Sequence, residues 1–203
     1  MPEKPIEAVV FTADGGWHVS RLVDALEGAD APVTMVVGVH GMQDDDGRFK
    51  EYVPGVDSAR FAEHEAFFVN DVADWVRSHF GVVASPDRTA VWGASLGGEF
   101  ALAMGVRHPE QYGAVLSASP GGGYRPAGSL GGRLPSFYLV AGAQEPFFAE
   151  NARRWLDALR EVGGDAVMTI REGGHGGAFW YEEFPLMATW AFRRGSGRCK
   201  PET

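Results

Sequence analysis

The chain has 203 residues, of which 45% are hydrophobic, and its 18 basic and 27 acidic side chains leave a formal net charge of −9. This composition excludes a disordered or membrane-embedded chain, and the acidic balance gives no basis for binding nucleic acid or an anionic membrane. Because the N-terminal stretch MPEKPIEAVV has no apolar signal-peptide core, we expect a cytoplasmic protein with one domain over residues 1–195 and a polar tail over 196–203.

Short β-branched and aromatic runs alternate along the chain with longer helical patterns. The runs predict six strands, over 6–12, 33–39, 88–92, 113–118, 136–141 and 166–171. Helical patterns cover 19–26, 61–80, 100–107, 149–164 and 179–192, with Pro185 inside the last of them. Helices separate every strand pair but one, which predicts an α/β fold with a mostly parallel sheet covered on both faces.

The segment AVWGASLGGEF, residues 90–100, places Ser95 between Gly93 and Gly97, where a predicted strand meets a predicted helix. A sharp strand-to-helix turn would project the serine hydroxyl, and it needs glycine where the two backbones approach. The N-terminus of the helix would also present the Leu96 amide to a developing oxyanion. The alternative is a glycine-rich turn with an incidental serine, and the motif by itself does not separate the two.

A nucleophilic serine needs a base and an orienting acid, and in α/β-hydrolases the acid follows the serine and the histidine comes last. Glu145 comes directly after the fifth predicted strand, and His175 lies in a glycine-rich loop after the sixth. We therefore expect Ser95, Glu145 and His175 to form a catalytic triad, with Glu150 as the alternative acid. The remaining histidines are expected at the surface or at helix ends: His18, His40, His64, His79 and His108.

Five segments carry a resemblance to a known family: FTADGGW, GRFKEYVPG, VWGASLGGEFALAMGVRHPEQYGAVLSASPG, AGAQEPFFAENA and GGHGGAFW. Over nearly its whole length the chain resembles the esterase family of α/β-hydrolases that includes enterochelin (siderophore) esterases, feruloyl esterases, S-formylglutathione hydrolase and the antigen 85 mycolyltransferases. The resemblance implies an α/β-hydrolase fold with Ser95 as nucleophile, His175 as base and Glu145 as acid. Many members have Asp at the acid position, so Glu145 departs from their pattern.

In this fold the second amide of the oxyanion hole comes from the loop after the strand predicted over 6–12. Gly16 is therefore the expected donor beside Leu96, and the alternative for that loop is a plain Asp-Gly turn. Arg48 and Glu51 resemble an Arg-x-x-Glu element of the family. Either the two side chains pair with each other, or Arg48 meets an anionic substrate. Four side chains are expected to contact substrate: Trp17, His40, Arg48 and Tyr124.

No cofactor or metal is implied by these residues. Asp44, Asp45 and Asp46 are adjacent, and adjacent carboxylates do not converge on one ion as spaced ligands do, so we expect a solvated loop tip. The single cysteine, Cys199, cannot form an internal disulfide and has no neighbouring zinc ligands.

The chain begins close to the third of the eight strands usual for this fold, so it resembles a short form that lacks the first two strands. The strand over 33–39 is then expected at an edge of the sheet. It is apolar and uncharged, and such an edge is open to pairing with another chain. We expect a homodimer through this strand, against the alternative of a monomer in which the N-terminal residues or the loop over 44–55 shield the edge.

The predicted function is a serine carboxylic-ester hydrolase that acts through an acyl-enzyme on soluble small-molecule esters. An acyltransferase of the same fold is one alternative. The other is a hydrolase-like module that binds a ligand without turnover. A complete set of serine, glutamate and histidine argues against the binding module, because binding alone does not need all three.

Overall fold

Six parallel strands form the centre of the computed structural model, which describes residues 5–125 and 130–192. The strands are β1 (Ala8–Thr12), β2 (Thr34–Gly38), β3 (Thr89–Ala94), β4 (Ala114–Ala118), β5 (Ser136–Gly142) and β6 (Ala166–Arg171). They lie in the order β2-β1-β3-β4-β5-β6. The predicted α/β fold is confirmed, and each predicted strand boundary lies within about two residues of the observed one. The tail expected over 196–203 lies outside the described residues.

The described residues form eight α-helices: α1 (Gly15–Leu26), α2 (Asp45–Tyr52), α3 (Ser58–Ala66), α4 (Val72–Phe80), α5 (Leu96–Arg107), α6 (Pro146–Glu161), α7 (Phe179–Glu182) and α8 (Phe184–Phe192). A π-helical turn, Phe67–Asp71, joins α3 to α4, so the pattern over 61–80 is helical throughout. The pattern over 179–192 divides into α7 and α8 just before Pro185, where a proline suits the first turn of a helix better than its interior.

Two hydrophobic clusters cover the two faces of the sheet. Because strand side chains alternate between faces, Val91 of β3 packs into one cluster and its neighbour Trp92 packs into the other. The first cluster contains Phe100 of α5 and Trp155 of α6, and the second contains Phe184 of α8. With both faces buried, the strands need apolar side chains at every position, which explains their continuous rather than alternating sequence pattern.

The sheet reverses its winding direction between β1 and β3. The chain passes from β1 to β2 on one side and then to β3 on the other side of β1. Connections that leave two adjacent parallel strands in opposite directions open a crevice at the carboxyl ends of those strands. Gly16, at the start of α1, follows β1, and Ser95 follows β3, so both border this crevice.

The segment over 40–55, predicted as a loop, contains helix α2. The Asp44 side chain accepts a hydrogen bond from the Gly47 N–H, and Asp45 and Asp46 lie in the first turn. Carboxylates at these positions satisfy free N–H groups and interact favourably with the positive end of the helix. The three aspartates are exposed, as predicted, but they begin a helix rather than form a loop tip.

Strand β2 lies at one edge of the sheet, as predicted for the strand over 33–39. On its inner side it pairs with β1, from Ala8 opposite Thr34 to Thr12 opposite Gly38. Within the part of the chain that the structure describes, no other strand pairs with the outer side of β2. None of the helices described here is long and apolar enough to cross a bilayer.

Candidate active site

Ser95 occupies a sharp turn between β3 and α5. Its backbone is in an unusual conformation for a residue with a side chain, at φ 57° and ψ −122°. A Cβ on Gly93 would lie 1.9 Å from the carbonyl oxygen of Gly97, so this close approach of strand and helix requires glycine. The Ser95 N–H donates to the Ala118 carbonyl at the end of β4, which ties the turn to the neighbouring strand.

Two hydrogen bonds connect Ser95, His175 and Glu145. The distance from Ser95 Oγ to His175 Nε2 is 2.9 Å, and His175 Nδ1 lies 2.8 Å from Glu145 Oε2. A carboxylate beside Nδ1 selects the tautomer in which Nδ1 donates and Nε2 accepts, so the serine hydroxyl donates to the ring. The carboxylate of Glu145 is 3% exposed and the imidazole 35% exposed.

The two candidate acids differ in their surroundings. Glu145 precedes α6 at the carboxyl end of β5, and its Oε1 accepts from the Gly142 N–H at 2.6 Å and from the Ser119 hydroxyl. Glu150 lies one turn into α6, where its exposed carboxylate pairs with Arg153 and Arg154. The structure therefore brings Glu145, and not Glu150, to His175.

The loop that carries His175 is shaped by glycines. Gly173 and Gly176 have φ values of 132° and 82°, in the region that favours glycine, and they flank His175 on either side. The imidazole stacks on the Phe148 ring with centroids 3.8 Å apart, and the Trp180 ring meets it edge-on at 5.0 Å. These contacts hold the ring between α6 and α7.

Three of these contact residues were missed from the sequence: Ser119, Phe148 and Trp180. Two of them are close in the chain to a residue that was identified, because Phe148 follows Glu145 in EPFF and Trp180 follows His175 in GGHGGAFW. Their proximity was a usable signal. Their roles depend on packing between elements, which the sequence pattern does not report.

Several backbone amides at the carboxyl ends of the strands have no acceptor within the described ranges. Leu96 and Gly97 begin α5, and the N–H groups that follow them, those of Gly98 and Glu99, donate back to the Ser95 carbonyl. Gly16 is the second residue of α1; the amides on either side of it, Gly15 and Trp17, donate to Val39 and Asp14. The N–H groups of Leu96 and Gly16 are thus among the free donors at the starts of α5 and α1.

The Arg48 side chain lies against Asp14 rather than Glu51. Its Nε and Nη2 donate to the two carboxylate oxygens of Asp14 at 3.0 and 2.8 Å. Glu51 instead accepts from Arg60 and from the Met42 N–H. The predicted Arg48–Glu51 pair was therefore wrong. The carboxylate that binds the guanidinium through both oxygens is that of Asp14, in the turn after β1. The guanidinium is thus bound by Asp14, and a contact of Arg48 with substrate stays a prediction.

Asp14 is the centre of a buried polar group at the start of α1. It is a non-glycine residue at φ 53°, and its carboxylate accepts from the Tyr52 hydroxyl at 3.1 Å as well as from Arg48. Burial and the Asp14 charge both raise the pKa of Tyr52. This group fixes the loop that presents Gly16, because Asp14 is the residue immediately before α1.

The other expected substrate contacts occupy different places. Trp17 is 47% exposed and its ring covers the guanidinium of Arg48 at 4.7 Å. His40 is exposed beside Gly16, where a Cβ would lie 2.9 Å from His40 Cε1. Tyr124 places its ring against Trp155 of α6 and donates its N–H to Glu99. Trp17 and His40 therefore adjoin the Gly16 loop, whereas the described contacts of Tyr124 hold it between α5 and α6.

Two histidines expected at the surface or at helix ends are buried. His18 lies in α1, and its Nδ1 is 2.9 Å from the Tyr181 hydroxyl. His64 packs among the rings of Tyr52 and Phe100. Burial lowers the pKa of both histidines. The described residues contain no group of three or more His, Cys, Asp or Glu placed to hold a metal ion.

Comparison with known proteins gives consistent matches in fold. The enterochelin esterase of Shigella flexneri superimposes with a TM-score of 0.78 at 20% identity, over 95% of this chain and 53% of that one. S-formylglutathione hydrolase of Staphylococcus aureus gives 0.65 at 13% identity, over 95% and 86%. The BES protein of Bacillus cereus gives 0.69 at 15% identity, over 95% and 85%. At these identities the similarity is one of fold.

This chain spans about half the length of the enterochelin esterase that it matches. A comparison with curated proteins found no match. A family model described as "Putative esterase" matches residues 9–191, which include the Ser95 turn, Glu145, His175 and nearly all of the six strands. The chain therefore belongs to this esterase family of α/β-hydrolases.

Proposed function

We propose that the chain is a serine carboxylic-ester hydrolase that forms an acyl-enzyme on Ser95. The observation that carries the proposal is the continuous series of hydrogen bonds from Ser95 Oγ through His175 to Glu145. A nucleophile and a base within hydrogen-bond distance, with the base oriented by a third group, is the arrangement that activates a hydroxyl. Membership of an esterase family supports the same chemistry.

The proposed reaction has two halves. His175 Nε2 removes the proton from Ser95 Oγ as the oxygen attacks the ester carbonyl, and the resulting oxyanion lies near the Leu96 and Gly16 amides. His175 then gives this proton to the leaving alcohol, and an acyl-Ser95 ester remains. A water molecule, deprotonated by His175, attacks that ester, and His175 returns the proton to Ser95 Oγ as the acyl–oxygen bond breaks and the acid is released. Glu145 stays ionised throughout and stabilises the imidazolium. No cofactor takes part.

The substrates that we propose are soluble small-molecule esters. Ser95 is partly exposed, and Trp17 and His40 lie beside Gly16 as candidate contacts. Because one similar structure is an enterochelin esterase, a catecholate siderophore ester belongs in the test. A screen of p-nitrophenyl esters of increasing chain length, together with that siderophore, measures turnover directly. Activity that is lost when a fluorophosphonate occupies Ser95 supports the proposal, and no turnover of any ester contradicts it.

Acyl transfer to an alcohol other than water is the second candidate reaction, because an exposed acyl-enzyme can react with either. Adding a primary alcohol to the hydrolysis assay separates the two. A hydrolase releases mainly free acid, whereas a transferase releases mainly the new ester. A non-catalytic binding module would release neither product.

We further propose that two copies associate through the edge strand β2. The strand contains only apolar residues, threonine and glycine, and its outer side is unpaired within the described residues. Light scattering at micromolar concentration should give about twice the mass of one 21.9 kDa chain. Val36→Lys should reduce that mass to the monomer value, and a monomeric native protein would contradict the proposal. We place the protein in the cytoplasm, which cell fractionation tests.

A further inference from the structure

Ser119 is a buried serine in a strained backbone conformation at the end of β4. Its φ is 46°, it is 0% exposed, and its N–H donates to the Val140 carbonyl of β5 at 2.7 Å. Glycine would adopt this conformation without strain, whereas a residue with a Cβ is disfavoured there. A non-glycine residue at such a position indicates that its side chain has a specific task.

The Ser119 hydroxyl connects two residues around His175. It donates to Glu145 Oε1 at 2.5 Å and accepts from Trp180 Nε1 at 2.7 Å. The Trp180 ring in turn meets the His175 ring edge-on, with an interplanar angle of 87°. His175 donates to Glu145 Oε2, so the contacts form a closed ring of four residues: His175, Glu145, Ser119 and Trp180.

Each member of this ring constrains the next. Ser119 and the Gly142 N–H both donate to Glu145 Oε1, which leaves Oε2 directed at His175 Nδ1. Donors to an ionised carboxylate favour the charged form, and this is the form that stabilises an imidazolium. The Phe148 ring stacks on the imidazole and the Trp180 ring meets it edge-on, so both contacts limit its movement.

We propose that Ser119 and Trp180 are positioning residues, which hold Glu145 and His175 in the geometry that activates Ser95. The inference rests on the proposed function for its kinetic consequences. Ser119 contacts Glu145 and Trp180 contacts His175, so both act on Ser95 through these two residues.

Ser119→Gly is the variant that separates positioning from structure. It removes the hydroxyl, which leaves the Trp180 Nε1–H without this acceptor, and it relieves the positive-φ strain, which offsets part of the stability lost with the two hydrogen bonds. We expect kcat/KM for a p-nitrophenyl ester to fall about 10- to 100-fold, since a hydrogen bond to a charged group is lost. The pH dependence of kcat/KM should also change, because Glu145 loses a donor that holds its other carboxylate oxygen against His175 Nδ1. Trp180→Phe should give a smaller loss in the same direction.

Ser136→Ala is the matched control. Ser136 is also buried and its hydroxyl donates to a carboxylate, that of Asp165, but it lies at the amino end of β5, whereas Ser119 follows the carboxyl end of β4. Its removal should change stability without moving the pH profile. A Ser119→Gly enzyme with the kcat/KM and pH profile of the Ser136→Ala enzyme would overturn the inference.

A second measurement does not depend on turnover. In a Ser95→Ala background, NMR follows the titration of the His175 ring with and without Ser119→Gly. A displaced titration supports the inference, even if the wild-type chain hydrolyses no ester and the proposed function fails. An unchanged titration overturns the inference, even if the wild-type chain is an active esterase.

Discussion

Two serines, Ser95 and Ser119, end neighbouring strands of the sheet in strained conformations, with φ values of 57° and 46°. The Ser95 N–H donates across to β4, and the Ser119 N–H donates across to β5. Ser95 is partly exposed and its Oγ reaches His175, whereas Ser119 is fully buried and its Oγ reaches Glu145 and Trp180. A strained serine at a strand end thus serves two different purposes in adjacent strands.

The segment after each serine accounts for the difference. Ser95 precedes α5, so the Leu96 N–H is a free donor at a helix N-terminus. Ser119 precedes Pro120, which has no N–H, and then a glycine-rich segment that is not helical over the described residues 121–125. A strained serine at a strand end therefore becomes a candidate nucleophile only where a helix begins and a histidine can reach its hydroxyl.

The largest expected effect comes from Ser95→Ala. It should lower kcat by on the order of 10³-fold or more and leave the unfolding free energy nearly unchanged, because the hydroxyl makes no core contact. Ester hydrolysis and urea unfolding measure the two quantities. The matched control is Ser117→Ala, which removes a buried hydroxyl in β4 that donates to the Gly98 carbonyl. A Ser95→Ala protein as active as this control would contradict the proposed mechanism.

The second-largest effect tests whether Glu145, the carboxylate that Ser119 contacts, is the acid that orients His175. Glu145→Gln should lower kcat/KM roughly 100-fold or more, because a neutral amide no longer stabilises the imidazolium that forms. Glu150→Gln should cost less than about twofold, since that carboxylate pairs only with exposed arginines. Steady-state kinetics at neutral pH measure the loss of kcat/KM in each of the two variants. Equal, small losses would indicate a Ser-His pair that works without an acid.

The sequence predicted correctly that Ser95 lies in a sharp turn between a strand and a helix. It could not have predicted the hydrogen bonds of Ser119 with Glu145 and Trp180. The six strands could be predicted because a sheet buried on both faces needs continuous apolar runs. The positions of Glu145 and His175 followed from chain order, since loops after parallel strands meet at one edge. The contact between Arg48 and Asp14 joins residues 34 positions apart, and only the packing of α2 against the β1 loop brings them together.

Helix α2 shows a second limit of pattern-based prediction. Its eight residues include only Phe49 and Tyr52 as large apolar side chains, too few to establish a helical period. The evidence for it lay in Asp44, whose side chain caps the first turn. Three adjacent acids suggested a solvated loop, and a capping interpretation of the same residues would have placed the helix correctly.

The third effect concerns the aromatic side of the His175 site. Phe148→Leu should lower kcat/KM about threefold to tenfold, because an aromatic face stabilises the imidazolium that forms during the reaction and leucine does not. Phe147→Leu is the control, since the described ring contact of Phe147 is with Phe148 and not with His175. Kinetics and pH profiles of the two variants test this. Losses of the same size would show that general packing, rather than the stack on His175, is responsible.

The smallest effect tests the link between the two serine-bearing segments. Glu99, one turn after Ser95, accepts the N–H of Tyr124 in the segment after Ser119, and it is 1% exposed. Burial raises the pKa of this carboxyl group, while the N–H groups of Tyr124 and Gly123 oppose the shift. A folded-state pKa above the unfolded value means that stability is fully present below the unfolded pKa and is lost as the pH rises through the folded one.

Glu99→Gln removes this loss of stability at higher pH, because the amide does not ionise. Its oxygen can still accept the Tyr124 N–H. At pH 7 we expect the variant to be more stable than the native protein by on the order of 1 kcal/mol, with the difference close to zero at pH 4. Urea unfolding at the two pH values measures it, with the exposed Glu150→Gln as control. A difference of the same size at both pH values would contradict the raised pKa, because it would mean that the Glu99 carboxyl group titrates alike in the folded and the unfolded chain.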